Sequence, residues 1–323
     1  MTDTNRNQNS GSRPAVSVII NCFNESAVLR ETLDSVFAQT FGDWEIVFWD
    51  NASTDGSWEI AESYGEKIRC FRSETTLRLG EARKRAYDET RGSYVAILDA
   101  DDLWLPEKLE QHVKLFESNP ELGMTYCDTT FFDQNGDRSR LFKLTNPYRG
   151  DIFGRLITKN LICSSAMMFR KDSVDQLERG FDDRLYRAQD YDLSLRMAYR
   201  FPVDYVDSPL TKWRINGVFE KPWKKSLVSR SEEVKATMDN ILDMHPEIVT
   251  DYPRELRAFY KELDYGLGIS AWQQGNRAES RKFLSKHLTN KKFLGVYLCT
   301  FLMSSGFFYG SINGFRRLAL KRT

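Results

Sequence analysis

The stretch SYVAILDADDLWLP, residues 93–106, reads as a strand that ends in acid. Val95, Ala96, Ile97 and Leu98 form a continuous apolar run, which suits a strand buried on both faces of a parallel sheet. Asp99, Asp101 and Asp102 follow at once. Like charges this close repel, and an apolar strand leaves them little solvent, so the cost must be offset. The D-x-D spacing sends alternate carboxylates to one side. There they can share a divalent cation, or one can take the metal and the other a ribose hydroxyl, clamping a diphosphate. The plain alternative is a solvated acidic turn leading into the helix of PEKLEQHVKLF, with Pro106 in its first turn.

Working outward, AVSVIINCFNES (15–26) and WEIVFWD (44–50) are two more buried strands, and KIRCFRS (67–73) is a further short strand. Between them, NESAVLRETLDSVFAQT repeats Val28, Leu29, Leu33, Val36 and Phe37 at helical spacing. NASTDGSWEIAESYG gives a turn and a helix with Asp55 or Ser57 near its start. LGEARKRAYDETRG predicts a helix stopped by Gly92. Four strands separated by three helices imply a mostly parallel α/β sheet flanked by helices, with ligands at the carboxyl ends of the strands. Asn21, Asp50 and the Asp99 cluster fall at three such ends. GMTYCDTTFFD, SSAMMFRKDSV, QDYDLSLRMAYR and DYVDSPLTKWRING predict a second, more antiparallel half. From about Trp223 the chain reads as mainly helical, with a helical hairpin turning at the QGN of residues 274–276.

Composition narrows the partners. The 323 residues carry 46 basic and 46 acidic side chains, so no global positive field favours nucleic acid. Five scattered cysteines imply reduced thiols in a cytoplasmic protein. His112, His245 and His287 stand far apart, which disfavours zinc and leaves oxygen ligands for magnesium or manganese. Residues 1–14 are polar, lack the apolar core of a signal peptide and predict a disordered tail. Residues 293–312, FLGVYLCTFLMSSGFFYGSI, are strongly apolar between basic pairs. They suit a peripheral membrane anchor or a packed helix better than a diluted transmembrane span.

An ordered set of segments resembles the inverting glycosyltransferases of family 2, which have the GT-A (Rossmann-like) fold. The set is VSVIINCFNES, LDSVFAQTFGDWEIVFWDNASTDGS, LGEARKRA, YVAILDADDLWLPEKLE, SSAMMFRK and GFDDRLYRAQDYDLSLRMA. It spans about residues 15–216. The resemblance implies a transferase domain over 15–220, with a nucleotide-binding half at 15–105 and an acceptor half at 106–220, and a helical region over 221–323. It implies a nucleotide-sugar donor, typically a UDP-sugar, held by Asn21, Phe23, Glu25, Asp50, Arg83 and Asp99. It implies Mn2+ or Mg2+ on Asp101, assisted by Asp102 and Asn216, and Asp190 as catalytic base. The acceptor would be a glycan or lipid-linked sugar of a surface polymer, met at the cytoplasmic face of a membrane.

Three positions depart from the family pattern. Phe23 stands for its Tyr, which keeps stacking and loses a hydroxyl. Gln189 stands for the Glu before the base. Asn216 stands for the His of an Arg-x-His pair whose Arg214 is kept; an amide oxygen can still meet a hard cation or a phosphate. Two other readings stay open: a non-catalytic scaffold, supported by Gln189 and Asn216, and a sugar nucleotidyltransferase, opposed by the missing glycines in NCFNES. Asp192 reads as a helix N-terminal acid and Asp55 as a loop brace. Trp104, Trp213 and Trp223 are aromatic candidates for stacking on a sugar.

Overall fold

Three buried apolar runs and the short half-buried run IRCFR become four parallel strands in the computed structural model, which describes residues 13–160, 162–215 and 230–302. They are β1 (Val16–Cys22), β2 (Trp44–Asp50), β3 (Ile68–Arg72) and β4 (Tyr94–Asp99), side by side in the order β3-β2-β1-β4. Register sets the ends level: Asn21 lies opposite both Trp49 and Asp99, and Cys22 lies opposite Asp50. Every residue of β2 is buried, as a strand covered on both faces requires.

The crossovers are α1 (Leu29–Phe37), α2 (Ser57–Glu62) and α3 (Leu79–Asp88). Leu29, Leu33 and Val36 of α1 pack on Val18, Ile20, Phe48 and Leu98, so these three of the periodic positions read from the sequence form the buried face, while Val28 is half-buried and Phe37 exposed. One expectation fails in detail. α3 ends at Asp88, and Gly92 is not its stop. Its N–H donates to Ser17 Oγ at 2.8 Å, and a Cβ there would lie 2.5 Å from Ser17 N. Glycine at 92 serves a close backbone approach to β1.

The second half continues the sheet with mixed polarity. It adds β5 (Leu103–Trp104), α4 (Lys108–Ser118), β6 (Met124–Asp133), β7 (Gly136–Arg140), α5 (Leu141–Leu144), α6 (Phe153–Thr158), β8 (Met168–Arg170), α7 (Lys171–Asp175), α8 (Gln189–Arg200) and β9 (Val203–Arg214). β8 runs antiparallel between β4 and β6, β9 lies parallel to β6, and β5 closes the far edge. The result is a nine-stranded α/β sheet whose parallel and antiparallel portions meet at β4.

The chain forms two compact units: residues 13–153 with 162–215, and residues 154–160 with 230–302. The second holds α9 (Arg230–Met244), α10 (Ile248–Asp251), α11 (Pro253–Gln273), α12 (Arg277–Leu284) and α13 (Lys291–Leu302). α11 and α12 form the expected hairpin. Gly275 takes φ +85°, and the Asn276 side chain caps α12 by accepting from Glu279 N–H at 3.1 Å. Trp272, Leu284, Phe293 and Val296 fill this unit's small core. Among the described residues no helix is long and apolar enough to cross a membrane. Residues 1–12, Asn216, Trp223 and residues 303–312 of the apolar run lie outside the described residues.

Candidate active site

Two loops cover the ends of β1 and β2, and short polar side chains stitch them together. Asn24 N–H donates to Ser53 Oγ, Thr54 N–H to Asn24 Oδ1, Glu25 N–H to Ser57 Oγ, and Ser26 N–H to Asp55 Oδ2. Asp55 also accepts from Ser57 N–H and Oγ, so it braces the loop as read from the sequence. Burial raises its pKa, but the Ser57 and Ser26 hydrogen bonds outweigh that and hold it below the ordinary value. Glu25 is buried, and its carbonyl accepts from Val28 and Leu29 at the start of α1. Phe23 is half-buried at the turn.

Inside this frame lie polar atoms that the chain leaves open. Asn21 Oδ1 and Nδ2 are both buried without a hydrogen-bond partner among the described residues. Asp50 is fully buried; its Oδ2 takes Arg72 Nε at 3.0 Å and Ser53 N–H at 3.2 Å, while its Oδ1 takes no donor among the described residues. Burial pushes the Asp50 pKa up against those hydrogen bonds and the Arg72 charge. Buried polar groups are rarely left unmatched, so such atoms mark a place for a ligand's polar edge. Asn51 shapes the neighbouring wall: its amide exchanges two hydrogen bonds with the Leu77 backbone, at 3.0 and 2.9 Å.

The repulsion at Asp99, Asp101 and Asp102 is relieved largely by protein groups. Arg83 on α3 is buried and its Nη2 pairs with Asp99. Ser165 Oγ accepts from Asp99 N–H at 3.1 Å and donates to Asp102 Oδ2 at 2.5 Å. Arg214 N–H donates to Asp102 Oδ1 at 2.9 Å, its Nε to the Asp101 carbonyl at 2.8 Å, and its Nη2 to Glu31 at 2.8 Å. Asp102 has no exposed surface, and burial followed by the Asp101 and Asp99 charges raises its pKa well above the usual range. Asp101 sits nearer the surface, at 9% exposure, and Asp99 is partly open.

α8 meets this cluster from the other side. Arg83 Nη1 donates to Gln189 Oε1 and to Ser164 Oγ, each at 2.9 Å. Gly80 permits the approach: its N–H donates to Leu185 O at 2.9 Å, and a Cβ would fall 2.1 Å from Asp182 O. The next residue, Asp190, is half-buried, and its Oδ1 accepts from Tyr191 N–H at 2.8 Å. Burial first, then the Asp102, Asp99 and Asp190 charges, push the Cys163 thiol upward. Asp192 is tied away from the site in a buried pair with Arg196, which also grips the Arg179 and Gly180 carbonyls.

Ser164, Ser165 and Arg72 were not singled out by sequence reasoning. The hydroxyl pair in CSSAMM, just before a strand, was the only visible signal for the two serines. Trp104 is a correction: it is buried and its indole N–H donates to Ser165 O at 2.7 Å, so it offers no stacking face. Trp213 is 44% exposed beside Phe131.

The donor set suits a hard cation, since it is built of carboxylate oxygens. Among the described residues no three of His, Cys, Asp and Glu converge to hold a metal alone. A cation here would complete its shell from a ligand's phosphates and water, as magnesium commonly does.

A family model described as Glycosyl transferase family 2 matches residues 17–178. The amylovoran biosynthesis glycosyltransferase AmsB of Erwinia amylovora is 30% identical over 290 residues, which cover 85% of this chain and 91% of that protein. Staphylococcus aureus TarS 1-349, solved in complex with UDP-GlcNAc, superposes with TM-score 0.67 at 18% identity, over 88% of this chain and 81% of that one. The mannosyltransferase PcManGT of Pyrobaculum calidifontis, solved in complex with GDP-Man and Mn2+, gives TM-score 0.61 at 18% identity, over 89% and 84%. Both structural likenesses are likenesses of fold.

Proposed function

The chain belongs to glycosyltransferase family 2 and has a GT-A-like fold, and on that premise we propose that it transfers a sugar from a nucleoside-diphosphate sugar to a hydroxyl acceptor, with inversion. One observation carries the reading: Asn21, Asp50 and Asp99 end three adjacent parallel strands, and Arg83 connects Asp99 to the turn of α8 that bears Asp190. The base of the donor, a uracil in our reading, would lie between Phe23 and the open oxygen of Asp50, which can accept a ring N–H. Asn21 and Glu25 would join Phe23 and Asp50 in holding the donor. Asp99 would meet the ribose.

Asp101 is our first metal ligand for Mn2+ or Mg2+, with Asn216 completing the protein's share. The cation would neutralise charge growing on the departing diphosphate. We give Asp102 a bracing role in place of the ligand role expected from the sequence, because Ser165 and Arg214 already occupy both its oxygens. Arg83 likewise becomes a positioning residue for Asp99 and Gln189, in place of a direct donor contact.

In the reaction, Asp190 takes the proton from the acceptor hydroxyl as that oxygen attacks the anomeric carbon. The new C–O bond forms as the old one breaks, and its electron pair leaves with the diphosphate. One displacement inverts the centre and needs no covalent enzyme intermediate. Likeness to an amylovoran biosynthesis enzyme supports a glycan or lipid-linked acceptor of a surface polysaccharide.

Calorimetry and hydrolysis assays with a panel of nucleotide sugars, with and without Mn2+ or Mg2+, test this. Metal-dependent binding and slow hydrolysis of at least one donor are expected. Absence of any nucleotide binding would leave the scaffold reading. Pyrophosphate release from a nucleoside triphosphate and a sugar phosphate would make the protein a nucleotidyltransferase.

A further inference from the structure

Although the whole chain is electrically neutral, its charge is segregated. Residues 277–323 carry ten basic side chains and a single acid, Glu279, which leaves 36 basic against 45 acidic in the rest. The same stretch holds the most apolar run of the sequence. α13 shows how the two properties combine. Phe293, Val296 and Thr300 face the core of the helical unit. Leu294, Leu298, Phe301 and Leu302 recur at helical spacing on the opposite side, exposed by 39, 50, 51 and 81%. Lys291 and Lys292 stand exposed in the first turn of α13, and Lys282 and Lys286 stand exposed on the preceding segment. The Arg281 guanidinium lies 4.3 Å from the Phe301 ring centroid, so basic groups border the apolar stripe directly. The acids close by are spoken for: Asp264 pairs with Lys286 and His287, and Glu262 with Lys292.

We propose that the α13 face of the helical unit docks on an anionic lipid surface, with Leu294, Leu298, Phe301 and Leu302 entering the headgroup boundary and the surrounding lysines and arginines meeting lipid phosphates. A bilayer interface with negative headgroups matches both the stripe and the net formal charge of +9 that residues 277–323 carry. The chain continues past Leu302 with MSSGFFYG and then Arg316, Arg317, Lys321 and Arg322, so the same two chemistries persist to its end.

Flotation of the full-length protein with phosphatidylcholine vesicles, with and without phosphatidylglycerol, tests the proposal without any donor or turnover. Its failure would therefore leave the transferase reading untouched. Binding should require phosphatidylglycerol and weaken with salt. Each charge reversal, Lys282→Glu or Lys291→Glu, should lower partitioning about fivefold or more. The pair Leu298→Glu and Leu302→Glu should abolish it while circular dichroism stays unchanged. Equal partitioning of wild type and all variants, or none by any, overturns the proposal. A dimer by light scattering that these leucine variants dissociate overturns it in favour of a second copy of the chain.

Discussion

At Asp190 a single proton transfer separates catalysis from binding. Asp190→Asn keeps the size and one hydrogen-bond acceptor but loses the base. Turnover should fall by about 10²–10⁴ while calorimetric donor affinity stays within a few fold. Normal turnover in this variant would remove Asp190 from the role. Ser165→Ala tests a different residue. It strips Asp102 Oδ2 and Asp99 N–H of one shared partner, and urea denaturation should register a loss of about 1–3 kcal/mol. The contrast shows what was legible in the sequence. Asp50, Asp99 and Asp190 stand out because each punctuates an apolar strand or opens a helix. Ser165 does not, because a hydroxyl is common and its partners lie more than sixty residues away in the chain. The repulsion at Asp99–Asp102 also invited a cation as its remedy. The Arg83 charge, the Ser165 hydroxyl and the Arg214 backbone N–H are partners that only the folded chain brings near.

Secondary elements were read well where period and punctuation coincide, as in β1, β2, β4 and the α11–α12 hairpin. They were misread where a glycine has two uses, and Gly92 is the instance. Gly80 carries a need that no local signal announces, since it arises from Asp182 and Leu185 across a gap of a hundred residues. Gly80→Ala should push α3 off this loop, lowering both stability and turnover; an unchanged kcat and melting curve would mean the loop yields freely. α4 carries a third kind of hidden feature. Lys108 is fully buried 4.3 Å from the Trp104 ring centroid, and its Nζ has no hydrogen-bond partner among the described residues. Burial pulls its pKa from 10.5 down to about 8. The native state thus holds this proton less tightly than the unfolded chain. The resulting penalty is full below about pH 8 and gone above 10.5. Lys108→Met should therefore stabilise the protein at neutral pH, by up to about 3 kcal/mol less whatever the Trp104 face contributes. That gain should vanish when denaturation is repeated above pH 10.5.

Across the whole molecule, the architecture was legible because four strands separated by three helices admit few topologies. The insertion of β8 between β4 and β6 was not, since no local signal specifies which strand closes an edge. Donor binding should act on this whole sheet end: nucleotide plus Mn2+ at a hundred times Kd should add about 2.7 kcal/mol of stability, read as a rise in Tm, and neither alone should match it. The strand order also bears on how the chain is made. β4 is finished about seventy residues before β8 emerges, which at ribosomal rates is roughly 4–14 s of waiting. Throughout that interval the nascent chain carries a complete four-stranded parallel sheet with one bare, strongly hydrophobic edge, the kind of surface on which chains pair with each other. Chains arrested before Met168 should accordingly aggregate or be retained by chaperones, and chains arrested well after Arg170 should be released from that hazard. Three residues of β8 would then decide the fate of the polypeptide during its own synthesis.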